Sequence, residues 1–210
     1  MSKLLYIKAS PRGDRSASLA VAEAFIAEYR RLHADDEIEV LDVFKADLPA
    51  FDGLTLQAKY TIMHGKEHTE EELKAWRRVE EIIDHFKSAD KYVLATPMWN
   101  FGIPYRLKQY IDILVQPTYA FGYSPDEGYK GLIKGRPLFA AYARGGSYGE
   151  GSPAAAFDMQ KRYIEVIFGF IGFEDFRSVV VEPTLEGGEA TARQAIERGI
   201  DRARQLAAAF

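Results

Sequence analysis

Alternation along the chain predicts its fold class: five short apolar runs, separated by longer segments of helical periodicity, call for an α/β fold with a parallel sheet and helices on both faces. Length is the second observation. With 210 residues and no repeat or low-complexity linker, the chain suits a single domain over 1–210 with a sizeable core. The third is strand number, because five strands joined by right-handed crossovers fit the order 2-1-3-4-5, whose topological switch point lies between the first and third strands.

The runs Leu4–Ile7, Ile38–Val43, Tyr92–Ala95, Leu138–Ala143 and Val179–Val181 read as the strands. A first helix is predicted to begin between Ser16 and Ser18, with Leu19, Ala22, Ala24, Phe25 and Tyr29 on one apolar stripe. The next begins after Thr69, which has the capping-box spacing to Glu72, and its core face carries Leu73, Trp76, Val79, Ile83 and Phe86. A proline in the first turn marks a helix from Pro104 to Val115, and two more are predicted from Pro153 to about Gly169 and from Glu189 to Ala209. Two stretches exceed this minimum. One is the connection from Phe44 to Thr69; the other is Thr118–Lys134, where Ser124-Pro125-Asp126-Glu127-Gly128 between aromatic-rich flanks reads as an inserted hairpin.

Composition narrows the function. Lys and Arg number 27 against 31 Asp and Glu, a formal charge of -4 without any basic run, so a nucleic-acid footprint is not expected. Cysteine is absent, which excludes disulfides, thiolate metal sites and cysteine nucleophiles and leaves the cytoplasm as the expected compartment. The apolar run within Met1–Lys8 is too brief for a signal h-region or a membrane span, so no membrane association is expected.

Three loops after the first, third and fourth strands carry the functional signal, because ligands of open α/β sheets bind at that edge. The first, Ala9–Ser18, is rich in hydroxyls and opens directly into a helix. Backbone N–H groups and the helix dipole favour a phosphate there, with Ser10, Ser16 and Ser18 as further donors; the plainer reading makes Ser16 or Ser18 a helix cap only. Neither G-x-x-x-x-G-K-[ST] nor G-x-G-x-x-G follows the strand, which favours a mononucleotide over a P-loop or dinucleotide site. The second loop, Ala95–Pro104, sets Met98, Trp99, Asn100 and Phe101 between two prolines, a set suited to a flat heteroaromatic ring. Its plainer reading makes Trp99 and Phe101 core caps. In the third, Ala143-Arg144-Gly145-Gly146, glycines let the backbone approach a ligand closely, so that N–H groups face negative charge on it. A flavin is the ligand that this combination predicts.

At these loops the sequence resembles the FMN-dependent NADH azoreductase and quinone reductase family of flavodoxin-like proteins, over essentially its whole length. The resemblance rests on the serine loop, Pro97-Met98-Trp99-Asn100-Phe101, Leu107–Asp112, Arg144-Gly145-Gly146 and Gly169-Phe170-Ile171-Gly172. It implies a flavodoxin-like fold, FMN as cofactor, NADH or NADPH as donor, quinones and azo compounds as acceptors, and a homodimer with its sites at the interface. By the same resemblance Ser10, Ser16, Ala17 and Ser18 hold the FMN phosphate, Pro97 to Phe101 hold the ring, and Ala143, Arg144, Gly145 and Gly146 hold its pyrimidine edge. Tyr123 from the hairpin and Phe170 would line the substrate pocket. The chemistry then sits on FMN with no catalytic side chain or metal, and one shared pocket implies ping-pong kinetics. Family members often carry serine where this chain has Ala143, and the loop after Gly146 is long.

Other constellations are weaker. Gly145-Gly146-Ser147-Tyr148-Gly149 matches G-x-S-x-G, yet His33, His64, His68 and His85 all precede Ser147, against the hydrolase order of nucleophile, acid, then histidine. His64 and His68 have a metal-binding spacing, but Gly65 weakens a helix there and no third ligand follows. An FMN electron carrier without small-molecule turnover is the alternative reading; the hairpin, the length and the modest acidity argue against it. A ligand-free domain would be colourless.

Overall fold

Successive residues of the central strands go to opposite faces of one sheet in the computed structural model, which describes residues 1–210. Strand β1 (Lys3–Lys8) sends Leu4 and Tyr6 to one core and Leu5 and Ile7 to the other. With β2 (Glu37–Asp42) and β3 (Lys91–Pro97) it starts the sheet; β4 (Phe121–Ser124) and β5 (Gly128–Gly131) pair antiparallel as the expected hairpin, apart from it. Strands β6 (Leu138–Ala143) and β7 (Phe176–Val181) complete a parallel sheet of order β2-β1-β3-β6-β7, which is 2-1-3-4-5 over its own five strands. The three inner strands are largely buried and the two edges half-exposed, as helices on both faces require.

Helix α1 (Ala17–Leu32) covers one face, where Phe25 stacks on Phe139 at 4.1 Å. Helices α2 (Gly53–Met63), α3 (Glu70–Lys87), α4 (Tyr105–Leu114) and α5 (Gln160–Ile171) lie on the other side, and α6 (Gly188–Ala207) returns to pack beside α1. Local chemistry sets the starts. The Ser16 hydroxyl caps α1 by accepting the Leu19 N–H, and Thr69 and Glu72 close the expected capping box on α3 at 3.1 and 2.7 Å.

Three boundaries differ from the expectation. The connection after β2 contains α2, which periodicity conceals: Thr55, Ala58 and Thr61 face inward while Leu54, Leu56, Tyr60 and Met63 are exposed, the reverse of an apolar stripe. Helix α5 starts at Gln160 rather than Pro153, because residues 155–157 form a 3₁₀ turn and the Asp158 carboxylate caps the N–H groups of Gln160 and Lys161 at 3.1 and 3.0 Å. Strand β7 starts at Phe176 rather than Val179, since pairing with β6 continues past the apolar run.

Acid should loosen this fold through two carboxylates. Asp36 is held below the usual range by the Ser2 N–H and then the Tyr29 hydroxyl; Glu39 is lowered by Lys3 and then His85. A lowered folded pKa gives stability that is fully present above the unfolded value, about 4, and is lost as pH falls through the folded one. The urea midpoint is therefore expected to drop between about pH 5 and pH 3. Asp36→Asn should flatten that slope, and an unchanged slope would remove Asp36 from the account.

Candidate functional site

Beyond β1 the chain turns toward β2, and beyond β3 toward β6, so the loops after these neighbouring strands diverge and open a crevice at the carboxyl edge of the sheet. A cleft of about 190 Å³ occupies it. The first loop contributes Ser10, Arg12, Arg15, Ser16 and Ala17, the second Pro97, Met98 and Trp99, and the third Ala143 and Gly145. Thr184 and Leu185, from the loop after β7, and Ile196 of α6 complete the wall.

In the first loop a 3₁₀ turn (Gly13–Arg15) folds the Arg15 and Ser16 N–H groups back onto Arg12 and Gly13 carbonyls. The next two N–H groups, of Ala17 and Ser18, have no acceptor within the chain. Ser10 is only 3% exposed and its hydroxyl has no partner, a condition that costs about 1–3 kcal/mol unless a ligand supplies one. A buried donor, two free amides at the positive end of a helix and two exposed arginines make a cradle for a phosphate dianion. Ser18 is not among the residues that line the cleft, and its hydroxyl lies 3.1 Å from that of Ser16, which does. Arg12 and Arg15 were readable as cations in the loop, but not as members of the cleft wall.

The second loop extends the ladder by one bond, Met98 N–H to Ala143 O at 2.8 Å, which sets Met98 beside Ala143. Trp99 and Gly102 then exchange two hydrogen bonds at 3.0 and 2.9 Å across a two-residue turn in which Asn100 and Phe101 have φ of 48° and 68°. A left-handed phenylalanine costs about 1–2 kcal/mol, and such strain collects at functional sites. The turn holds Phe101 46% exposed, stacked on Phe157 with ring centres 5.2 Å apart and edge-on to Tyr148 at 6.1 Å. Trp99 leans on Phe44 and Tyr105, and Asn100 borders a neighbouring hollow rather than the cleft.

The third loop orients its amides through its carbonyls. Arg144 O accepts the Thr184 N–H and hydroxyl at 2.9 and 2.8 Å, and Gly145 O accepts the N–H groups of Leu185 and Glu186, both at 3.0 Å. Opposed C=O and N–H directions in a trans peptide aim the N–H groups of Gly145 and Gly146 away from the β7 loop, toward the side of the second loop. Neither has an acceptor within the chain. The Arg144 side chain, in contrast, is buried beneath the loop between Asp158 and Glu182.

Tyr123 and Phe170 stand apart from the cleft in an aromatic group with Phe121 and Tyr129, where neighbouring ring centres are 4.8 to 6.0 Å apart. The four imidazoles contact Tyr29, Tyr60, Lys66 and Glu39, and none hydrogen-bonds Ser147. No group of three or more His, Asp or Glu side chains is placed to hold a metal ion, and no helix is long and apolar enough to cross a membrane.

Residues 2–207 match the model of a family described by its flavodoxin-like fold. An FMN-dependent NADH:quinone oxidoreductase of Nitratidesulfovibrio vulgaris is 51% identical over 210 residues, covering all of both chains. Another, from Desulfotalea psychrophila, is 46% identical over 193 residues, 92% of this chain and 91% of that one. Among solved structures, an azoreductase from Bacillus anthracis str. Sterne superposes with a TM-score of 0.92 at 34% identity over 100% of each chain. An FMN-dependent NADH-azoreductase from B. anthracis str. Ames Ancestor, in complex with FMN, gives 0.86 at 32% identity over 99% of this chain and 100% of that one.

Proposed function

The chain belongs to the flavodoxin-like family that contains the FMN-dependent NADH:quinone oxidoreductases, and from that premise we propose that it is an FMN-dependent oxidoreductase passing two electrons from NADH to quinones and azo compounds. The observation that carries the reading is the phosphate cradle around the unpartnered Ser10 hydroxyl, next to an apolar slot at the switch point. Ser10, Ser16, Ala17 and Ser18 would hold the phosphate with Arg12 and Arg15 at its rim. Pro97, Met98, Trp99, Asn100 and Phe101 would flank the ring, and the backbone of Ala143, Arg144, Gly145 and Gly146 would meet its pyrimidine edge. When bound, FMN supplies the hydride chemistry that no side chain here offers.

The chain's own contribution is orientation and electrostatics. The Gly145 and Gly146 N–H groups are aimed before any ligand arrives, so they stabilise negative charge without reorganising. Trp99 lines the slot, and the half-exposed Phe101 would add a flat apolar face, so that planar partners are admitted one at a time. A single slot for donor and acceptor entails ping-pong kinetics, so initial-velocity lines at several fixed quinone concentrations should be parallel. Intersecting lines would require separate sites. NADPH is the competing donor.

We further propose one domain over 1–210, a cytoplasmic location where NADH is supplied, and a homodimer. Support for the dimer comes from an exposed apolar face on α5 and the α4 entry, where Ile103, Met159, Tyr163 and Val166 line a hollow of about 480 Å³. A second copy on that face would carry Tyr123 and Phe170 of one chain toward the slot of the other.

Gly145→Val tests the ring site. A Cβ there would lie 3.0 Å from Leu185 Cδ1, so the valine crowds the part of the cleft wall that both residues form. FMN affinity is expected to fall about tenfold or more, as read by fluorescence titration of the apoprotein; full affinity would contradict the placement. The whole reading is tested by desalting FMN-reconstituted protein and adding NADH without oxygen. Retained absorbance that bleaches and then returns with a quinone is the expected result. Colour unchanged by NADH would favour an electron carrier, and failure to retain flavin would overturn the proposal.

A further inference from the structure

We infer that Arg144 is a positioning residue for the FMN site, its buried guanidinium coupling the Gly145–Gly146 amides to the Trp99–Gly102 turn; the inference rests on the FMN reading above. Arg144 is 2% exposed. Its Nη2 meets Asp158 Oδ2 at 2.6 Å, its Nη1 meets Glu182 Oε2 at 3.2 Å, and its Nε donates to Gln160 Oε1 at 3.1 Å. Each partner holds another part of the site. Gln160 Nε2 donates to Thr96 O at 3.0 Å, beside Pro97 at the end of β3. Asp158 caps α5, and the adjacent Met159 donates its N–H to Phe101 O at 3.1 Å, on the left-handed turn itself. Glu182 Oε2 also accepts the Tyr148 N–H at 2.9 Å, which fastens the far end of the glycine loop.

One side chain thus ties the carboxyl ends of β3, β6 and β7 to the start of α5. Only the planar fork of an arginine reaches three acceptors in such directions; lysine keeps the charge but presents a single point. Burial of an ion pair is by itself weak evidence of a stability role. The network instead contacts both loops that bracket the slot, and it points its donors away from the slot, so Arg144 acts through backbone geometry rather than by touching a ligand.

The test uses two substitutions that leave the formal charge intact, Arg144→Lys and Gln160→Met, each in full-length protein. Urea unfolding, the FMN dissociation constant of the apoprotein and the midpoint potential of bound FMN are measured alongside wild type. Loosened amides should cost the reduced form of FMN more than the oxidised form. Arg144→Lys is expected to weaken FMN at least tenfold and to shift the ratio of the two affinities about tenfold, a fall of about 30 mV for a two-electron couple. Gln160→Met should move both quantities in the same direction by less. Variants that fold and lose only urea resistance, with wild-type FMN affinity and potential, would overturn the inference and leave Arg144 as a structural ion pair. Wild-type protein that binds no FMN would instead overturn the reading on which it rests. Should Arg144→Lys fail to fold, the Gln160→Met measurements decide alone.

Discussion

Ser10→Ala is expected to weaken FMN binding by about 10- to 150-fold while the apoprotein loses no stability. The Ser10 hydroxyl is buried and has no partner within the chain, so removing it breaks nothing in the fold and relieves an unsatisfied group. Against a charged phosphate oxygen the same hydroxyl becomes a donor worth about 1.5–3 kcal/mol, which is the stated loss of affinity. Riboflavin, which lacks the phosphate, should bind both proteins alike. Fluorescence titration with the two flavins, together with urea unfolding, separates the cases. Unchanged FMN affinity would move the phosphate out of the first loop, whereas equal losses for both flavins would make the effect one of folding. Arg12 and Arg15 are exposed, so their share should appear as salt dependence: added salt should weaken FMN binding to wild type more than to an Arg12→Ala/Arg15→Ala variant.

Gly172→Ala is expected to lower unfolding stability by about 2–5 kcal/mol. Gly172 ends α5 at φ 117°, where an L side chain is strained by about 1–2 kcal/mol. A Cβ at this position would also lie 2.9 Å from Ile133 O and 3.1 Å from its carbonyl carbon, and crowding of that kind adds about 1–3 kcal/mol. From the hairpin side, a Cβ on Gly131 would overlap Gly172 N, and the Ile133 N–H already donates to Ile171 O at 2.9 Å. Two glycines therefore let the backbone of the hairpin lie directly on the end of α5. A shifted hairpin would also separate Phe121 from Phe170, so near-ultraviolet circular dichroism should change along with the urea midpoint. A wild-type midpoint would mean that the hairpin is held by other contacts.

The elements legible in the chain were those written by neighbours. The Thr69 and Glu72 capping box, the hairpin around Ser124–Gly128 and the two-sided patterning of β1, β3 and β6 follow from residues a few positions apart. Helix α2 was not legible, because its inward face is small and polar and its larger apolar side chains stay exposed. The start of α5 differs from the expectation for a related reason: Pro153 is a common first-turn residue, but the Asp158 cap five positions later decides the boundary. In the candidate site, Ser10, Met98 and Gly145 could be located because each lies two or three residues beyond an apolar run, and strand ends in such a sheet share one edge.

What the sequence determined by itself is therefore the order of the strands, the three loops at that edge and the residue types each loop offers, since these depend on periodicity and short-range hydrogen bonds. Tertiary structure alone decided where the side chains point. It set the Ser18 hydroxyl against that of Ser16, left the Ser10 hydroxyl without a partner, added Thr184 and Leu185 to the wall, and buried Arg144 against residues 14, 16 and 38 positions away in the chain. Partners so distant in sequence are set by the packing of whole elements, which no local window contains.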